Sequence, residues 1–199
     1  MSSEEARRTR ILLITGPAGV GKSTLTWEIA GRLAGAGLAH AVIETDELDR
    51  VFPLPTPGEL DSIRPGTTDV SAINLAALWS TYRALGHTRL IMSGVMVRPE
   101  SDLRWIADAI PGAEVAVVRL RASDATLLAR LDRRETGSGR EDQIRRSLRQ
   151  ADQMAGEPAD GLIVITADDA TPADLADRVL RAVGWLEGPG DRTPAEEGA

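Results

Sequence analysis

The sequence predicts a three-layer α/β fold, a five-stranded parallel sheet with helices on both faces, and three observations carry that prediction. Five short runs, at residues 11–14, 39–45, 90–95, 115–120 and 162–165, are nearly continuously apolar, as strands buried on both sides must be. Helical stripes alternate with them, so each crossover reads as a strand-helix-strand unit. Glycine and proline fall between the runs, and no internal repeat or interdomain linker interrupts the series.

The bulk properties bound this fold to one domain. The chain has 199 residues, enough for one well-buried α/β unit and too few for two of ordinary size. Net charge is −7 at pH 7, which gives no support to nucleic acid as a partner. There are no cysteines, so disulfides, thiolate metal sites and cysteine nucleophiles are excluded. Residues 1–9 form a charged arm without a signal-peptide core, and no apolar run approaches the roughly 20 residues of a membrane span. The expectation is a soluble, cytoplasmic protein with no membrane partner and with a homodimer as one option for its assembly. Aromatics make up 3% of residues, so Leu, Val, Ile and Ala must build the core.

The first strand breaks into Gly16-Pro17-Ala18-Gly19-Val20-Gly21-Lys22-Ser23-Thr24 and then into a helix. Residues 16–23 fit G-x-x-x-x-G-K-[ST] at every fixed position, in the strand-loop-helix context that the pattern requires. Gly16, Gly19 and Gly21 allow a tight turn whose N–H groups face inward, an anion-binding hollow continuous with the positive end of the helix. Lys22 is placed to reach β- and γ-phosphates, and the Ser23 hydroxyl to ligate the Mg²⁺ that bridges them. Of the 23 Lys and Arg residues 22 are arginine, and the single lysine stands where the motif demands one. A glycine turn that binds nothing is the plainer alternative, and this composition argues against it.

The helix after the loop carries Leu25, Ile29 and Leu33, with Trp27 and Ala30 alongside, and Gly35 and Gly37 end it. The second strand delivers Glu44-Thr45-Asp46 to the carboxyl edge of the sheet, where ligands of open α/β sheets bind. Residues 51–69, with four prolines and two glycines, read as a long irregular connection. A helix at about 71–85 with Ile73, Leu75, Leu78, Trp79 and Tyr82 facing inward precedes the third strand. Pro99 opens a helix to Ile110, and the fourth strand follows. Ser123 caps a helix bearing Leu127, Leu128 and Leu131, a polar helix spans about 141–154, and the fifth strand leads to a Thr171-Pro172-Ala173-Asp174 helix start. Asp168 and Asp169 are read as shaping that last start. Residues 187–199 read as a disordered tail.

With the loop, the acidic strand end and the arginine-rich segment in place, the chain resembles small P-loop kinases of metabolites and antibiotics, such as shikimate kinase, gluconate kinase, adenylylsulfate kinase and chloramphenicol phosphotransferase. The resemblance covers about residues 10–186. It implies the three-layer P-loop NTPase fold with strand order 2-3-1-4-5, ATP on the loop and an arginine-bearing lid at about 133–142. Glu44-Thr45-Asp46 looks like the acidic pair ending the second strand in that group, which makes Asp46 a candidate base and both Glu44 and Asp46 metal-shell candidates beside Ser23. The alternative is that Asp46 or Asp49 caps a helix beginning near Glu47. Arg130 and Arg134, four apart on one helix face, look like lid arginines that engage phosphate; the alternative is a solvated helix surface. One feature departs from many P-loop NTPases, since the third strand ends in Ser93-Gly94 with no Walker B aspartate.

The reading is an ATP- and Mg²⁺-dependent transfer of phosphate to a hydroxyl of a small molecule, with Lys22, Asp46, Arg130 and Arg134 as the catalytic set. The acceptor is expected near Asp46, Arg50, Arg64 and Arg98; Arg64 or Arg98 could pair with an anionic substrate, although such arginines are more often solvated surface charges. His40 and His87 receive no role. Two alternatives stand beside this one. A nucleoside or nucleoside monophosphate kinase needs a base site that the sequence does not identify, and a nucleotide-dependent switch is kept open by the missing Walker B acid, although the acidic strand end and arginine segment favour the kinase.

Overall fold

The computed structural model describes residues 8–98, 103–134, 140–157 and 161–185, with no side-chain description at Arg134. The first strand, β1 (Arg10–Thr15), lies at the centre of the sheet. Its apolar run leaves residues 11–15 buried, because β3 (Arg89–Gly94) and β4 (Glu114–Arg121) flank it and helices cover both faces. β2 (His40–Glu44) pairs with β3, and β5 (Leu162–Thr166) pairs with β4. All pairs are parallel and the order is 2-3-1-4-5, as expected of the P-loop NTPase class.

Alternation along the strands splits the core in two. Leu12, Ile14, Val118 and Leu120 meet α1 (Lys22–Gly35) and α7 (Pro172–Ala182) on one face. Ile11, Leu13, Leu90 and Met92 meet α3 (Val70–Ala84) and α4 (Arg104–Ala109) on the other. Each fully buried aliphatic side chain in these layers contributes about 1.5–3 kcal/mol relative to exposure. Trp79 is buried in the second layer, and its Nε1 donates to Thr9 Oγ1 at 3.2 Å, tying α3 to the entry of β1. α5 (Asp124–Arg134) and α6 (Arg140–Gly156) follow β4, and an Arg140–Asp132 ion pair joins them.

Three expectations are corrected. Residues 51–69 are not wholly irregular, because α2 (Pro57–Ile63) forms within them. Thr56 accepts from Glu59 N, the Glu59 side chain accepts from Thr56 N, and Pro57 occupies the first turn, so a capping box nucleates the helix despite the prolines around it. Trp27, Leu78 and Leu128 do not face the core and are exposed by 64%, 40% and 39%. In each case a neighbour one position away takes the buried place: Thr26, Trp79 and Leu127. Asp168 does not shape the start of α7, which is capped by a Thr171–Asp174 box; it holds the start of α5 instead. The helix expected from Pro99 is described only as α4, since residues 99–102 lie outside the described residues. So do residues 135–139 of the expected lid and the expected tail at 187–199. Among the described residues no helix is long and apolar enough to cross a membrane.

Candidate active site

The loop between β1 and α1 owes its shape to glycines that nothing larger can replace. Gly16 has φ 149°, and a Cβ there would stand 2.7 Å from the Leu120 carbonyl oxygen. Gly19 has φ 79°, and its Cβ would stand 2.8 Å from Leu131 Cγ on α5. The loop therefore lies flat against β4 and α5, in a backbone region that side chains avoid. Lys22 Nζ donates to the carbonyls of Gly16 at 3.0 Å and Pro17 at 3.1 Å, bracing the turn across its mouth.

A cavity of about 340 Å³ opens beside the loop. Residues 19–25 form one wall, and Arg130, Ala170 and Pro172 form the other. Arg130 spans the two: Nη1 donates to Val20 O at 2.6 Å and Nη2 to Ala167 O at 2.9 Å. The turn between β5 and α7 is fixed from below by Asp168, which accepts from Ser123 N, Ser123 Oγ and Thr126 Oγ1. The bond from Thr126, followed by that from Ser123 N, holds the Asp168 carboxyl below the usual aspartate range. Asp169 next to it takes φ 53°, which turns the chain toward Ala170 at the cavity wall.

On the other side of the loop, β2 ends at Glu44 and a 3₁₀ turn, Thr45–Glu47, presents Asp46 to solvent. That turn has no side-chain cap, and no helix begins at Glu47. It approaches β3 so closely that a Cβ on Gly94 would fall 1.9 Å from Thr45 Oγ1. Gly94 is paired in register with Thr15, so the acidic turn rests on the strand beside the phosphate loop. The position where other P-loop proteins carry an acid is here the space into which Thr45 packs. Ser23 lines the cavity, and Glu44 and Asp46 stand at the end of β2 and on its turn; all three carry oxygen donors, the type a hard cation such as Mg²⁺ takes. Among the described residues, no three His, Cys, Asp or Glu side chains form a cluster that would hold a metal by themselves.

The three arginines expected near an acceptor have partners of their own in the structure. Arg50 pairs with Glu47 at 3.0 Å, Arg64 donates to Asp108 O at 2.6 Å, and Arg98 pairs with Glu157 at 3.4 Å. Other residues enter that the sequence reading missed. Ser147 Oγ on α6 donates to Ala18 O at 2.6 Å, and Ala18 N donates to Gln150 Oε1 at 3.0 Å, so α6 grips the crown of the loop. Met96 N donates to Thr15 Oγ1 at 2.9 Å, and Thr15 Oγ1 lies 3.1 Å from Met96 O. Arg119, fully buried in β4, donates to Met154 O and Val97 O. Burial, and then the charge of Arg121, lower the pKa of Arg119, while Glu157 opposes them. The signals were present: Ser147 interrupts the apolar stripe of Ile144, Leu148 and Ala151, and Arg119 interrupts an apolar strand.

No curated protein matches the chain in sequence. Solved structures share its fold. The tunicamycin resistance protein of Deinococcus radiodurans is 22% identical, with 89% of this chain and 96% of that one covered at a TM-score of 0.56. A gluconokinase from Sinorhizobium meliloti 1021 is 19% identical, with coverage of 90% and 93% and a TM-score of 0.55. The APS kinase of Mycobacterium tuberculosis, in complex with AMPPNP and APS, is 18% identical, with coverage of 89% and 98% and a TM-score of 0.53. These likenesses show that the P-loop fold is shared. The AAA domain family model matches residues 12–155, well over half of the sequence, and the chain belongs to that family.

Proposed function

We propose that the chain is an ATP- and Mg²⁺-dependent phosphotransferase that moves the γ-phosphoryl group of ATP to a hydroxyl of a small molecule, with residues 10–186 as its catalytic domain. The observation that carries this reading is the glycine-shaped loop with the chain's single lysine, opening into a cavity on one side and flanked on the other by an acidic turn. The APS kinase of the same fold, with AMPPNP and APS bound, supports a site that holds nucleotide beside a small acceptor.

In this reading the loop N–H groups and the start of α1 receive the phosphates, and the base and ribose occupy the cavity between residues 19–25 and Arg130, Ala170 and Pro172. Lys22 exchanges the Gly16 and Pro17 carbonyls for β- and γ-phosphate oxygens. Ser23, Glu44 and Asp46 are the residues to hold Mg²⁺, which supplies charge neutralisation between those phosphates. Asp46 accepts the acceptor's hydroxyl proton as the new O–P bond forms and the bond from the γ-phosphorus to the β-bridging oxygen breaks, releasing ADP. Arg130 steadies the nucleotide wall, and Arg134 adds positive charge from the lid edge. Arg50 and Arg64 reach an acceptor by giving up the partners they have, and Arg98 adds its charge while still paired with Glu157.

The test follows γ-labelled ATP with Mg²⁺ and pools of hydroxyl metabolites, nucleotides and antibiotics. Label is expected in one organic product, lowered by roughly 10²–10³ with Lys22→Ala and by roughly 10–10² with Asp46→Asn. Label released only as free phosphate, unaffected by any pool, replaces this reading with that of a nucleotide-dependent switch.

A further inference from the structure

Arg119 pairs in register with Thr15 of β1 and Val164 of β5, on the functional edge of the sheet, and is fully buried. A buried guanidinium is a poor way to fill space, because its desolvation offsets much of what its bonds return, and an apolar chain fills the same volume without that penalty. What an apolar chain cannot do is grip two carbonyls from different elements. Nη1 donates at 2.8 Å to Met154 O, in the last turn of α6, where helix carbonyls lack partners and the dipole favours a cation. Nη2 donates at 3.2 Å to Val97 O, in the turn that follows β3 on the acceptor side. The Arg98–Glu157 ion pair straps the same turn to the residue just beyond α6.

These bonds join others into a circuit. α6 holds Ala18 of the phosphate loop through Ser147 and Gln150. The turn is tied back to the root of that loop by the contacts of Met96 with Thr15. From the loop through α6 to Arg119, on to the turn and back to β1, each step is a named hydrogen bond.

We infer that Arg119 is a positioning residue for the transfer reaction, whose fork makes the phosphate loop, α6 and the acceptor-side turn at residues 96–98 one frame, so that nucleotide bound on the loop orders the turn that meets the acceptor. This rests on the phosphotransferase reading for what the turn meets. Arg119 touches neither nucleotide nor acceptor; it acts through Val97 and Met154.

The test is amide hydrogen exchange on the full chain with and without Mg²⁺ and AMPPNP. In the unaltered protein, nucleotide slows exchange in the loop and slows amides 96–98 by about fivefold or more, as expected when ligand stabilises a cooperative unit. Arg119→Met keeps the loop's protection and loses that of the turn, while Arg119→Lys, which can still reach a carbonyl, retains part of it. Ser147→Ala leaves the turn's exchange without nucleotide unchanged and weakens its response, which keeps the inference testable should Arg119→Met fail to fold. Full protection of the turn in Arg119→Met or Ser147→Ala overturns the inference, as does an unaltered protein that binds AMPPNP without any change at 96–98. Absence of AMPPNP binding to the unaltered protein, seen as no protection at the loop, overturns the phosphotransferase reading and this inference with it.

Discussion

The two halves of the site are built by opposite means. On the nucleotide side, the loop backbone is held by Leu120, Leu131, Ser147 and Gln150, so its geometry is set by groups that cannot easily move. On the acceptor side, Asp46 is exposed, Arg50 and Glu47 pair at 69% and 61% exposure, and the chain's one phenylalanine, Phe52, is 96% exposed. Leu54 and Ile63 are exposed by 71% and 67% on the same segment. In the phosphotransferase reading the difference places specificity: polyphosphate geometry is the same for every turnover and rewards a preformed cradle, whereas residues 46–63, outside the frame that Arg119 ties to the loop, meet the acceptor with little packing of their own.

Two glycines break this comparison from either side. Gly16→Ala is expected to have the largest effect, because it combines a φ of 149° with a Cβ at 2.7 Å from a main-chain oxygen that has nowhere to go. A stability loss of about 2–4 kcal/mol in urea unfolding is expected, together with loss of ATP binding by titration calorimetry. Gly94→Ala acts on the other half, since the displaced group is the Thr45 side chain beneath Asp46. It is expected to cost about 1–3 kcal/mol and to lower phosphoryl transfer by about 10–10²-fold with ATP affinity retained, as a base displaced by about an ångström would. Equal loss of ATP affinity in both variants would show that the halves are not separately built.

How legible these halves were in the sequence follows the same division. The loop was readable because each of its fixed residues answers one backbone or phosphate requirement, and strand order followed from the resemblance it supported. The acceptor side was misread at α2, although Thr56-Pro57-Gly58-Glu59 carries the same start signal as Thr171-Pro172-Ala173-Asp174. An apolar stripe, Leu175, Val179 and Leu180, follows the second, whereas Pro53, Pro55 and Pro65 surround the first and hide its signal. The capping box and the burial of Leu60 together hold the helix. Arg119, Ser147 and Gln150 were not legible as partners of the site, because each contact joins residues distant in sequence, and only the fold brings Ala18 to α6 or Met154 to β4.

The smallest expected effect sharpens the nucleotide side. Asp168 binds no part of the loop, yet it supports the cavity by joining the turn after β5 to the start of α5, the helix that carries Arg130 and Leu131. Its carboxyl is held below the ordinary aspartate value by Thr126 and then by Ser123. A lowered folded pKa means that the charged form is the one folding favours. The contribution is therefore present above the unfolded value, near about 3.9, and is lost as pH falls through the lower folded value. Asp168 is part-exposed, so solvent screening limits the gain to about 1 kcal/mol, a shift of roughly 2–4 °C in melting temperature. Asp168→Ala is expected to melt lower than the unaltered protein at pH 7, with the gap narrowing as pH falls below the unfolded value of about 3.9 and closing only below the lower folded value, where the native carboxyl becomes protonated and its bonds weaken. A difference that persists undiminished at low pH would assign the role of Asp168 to side-chain packing instead of charge.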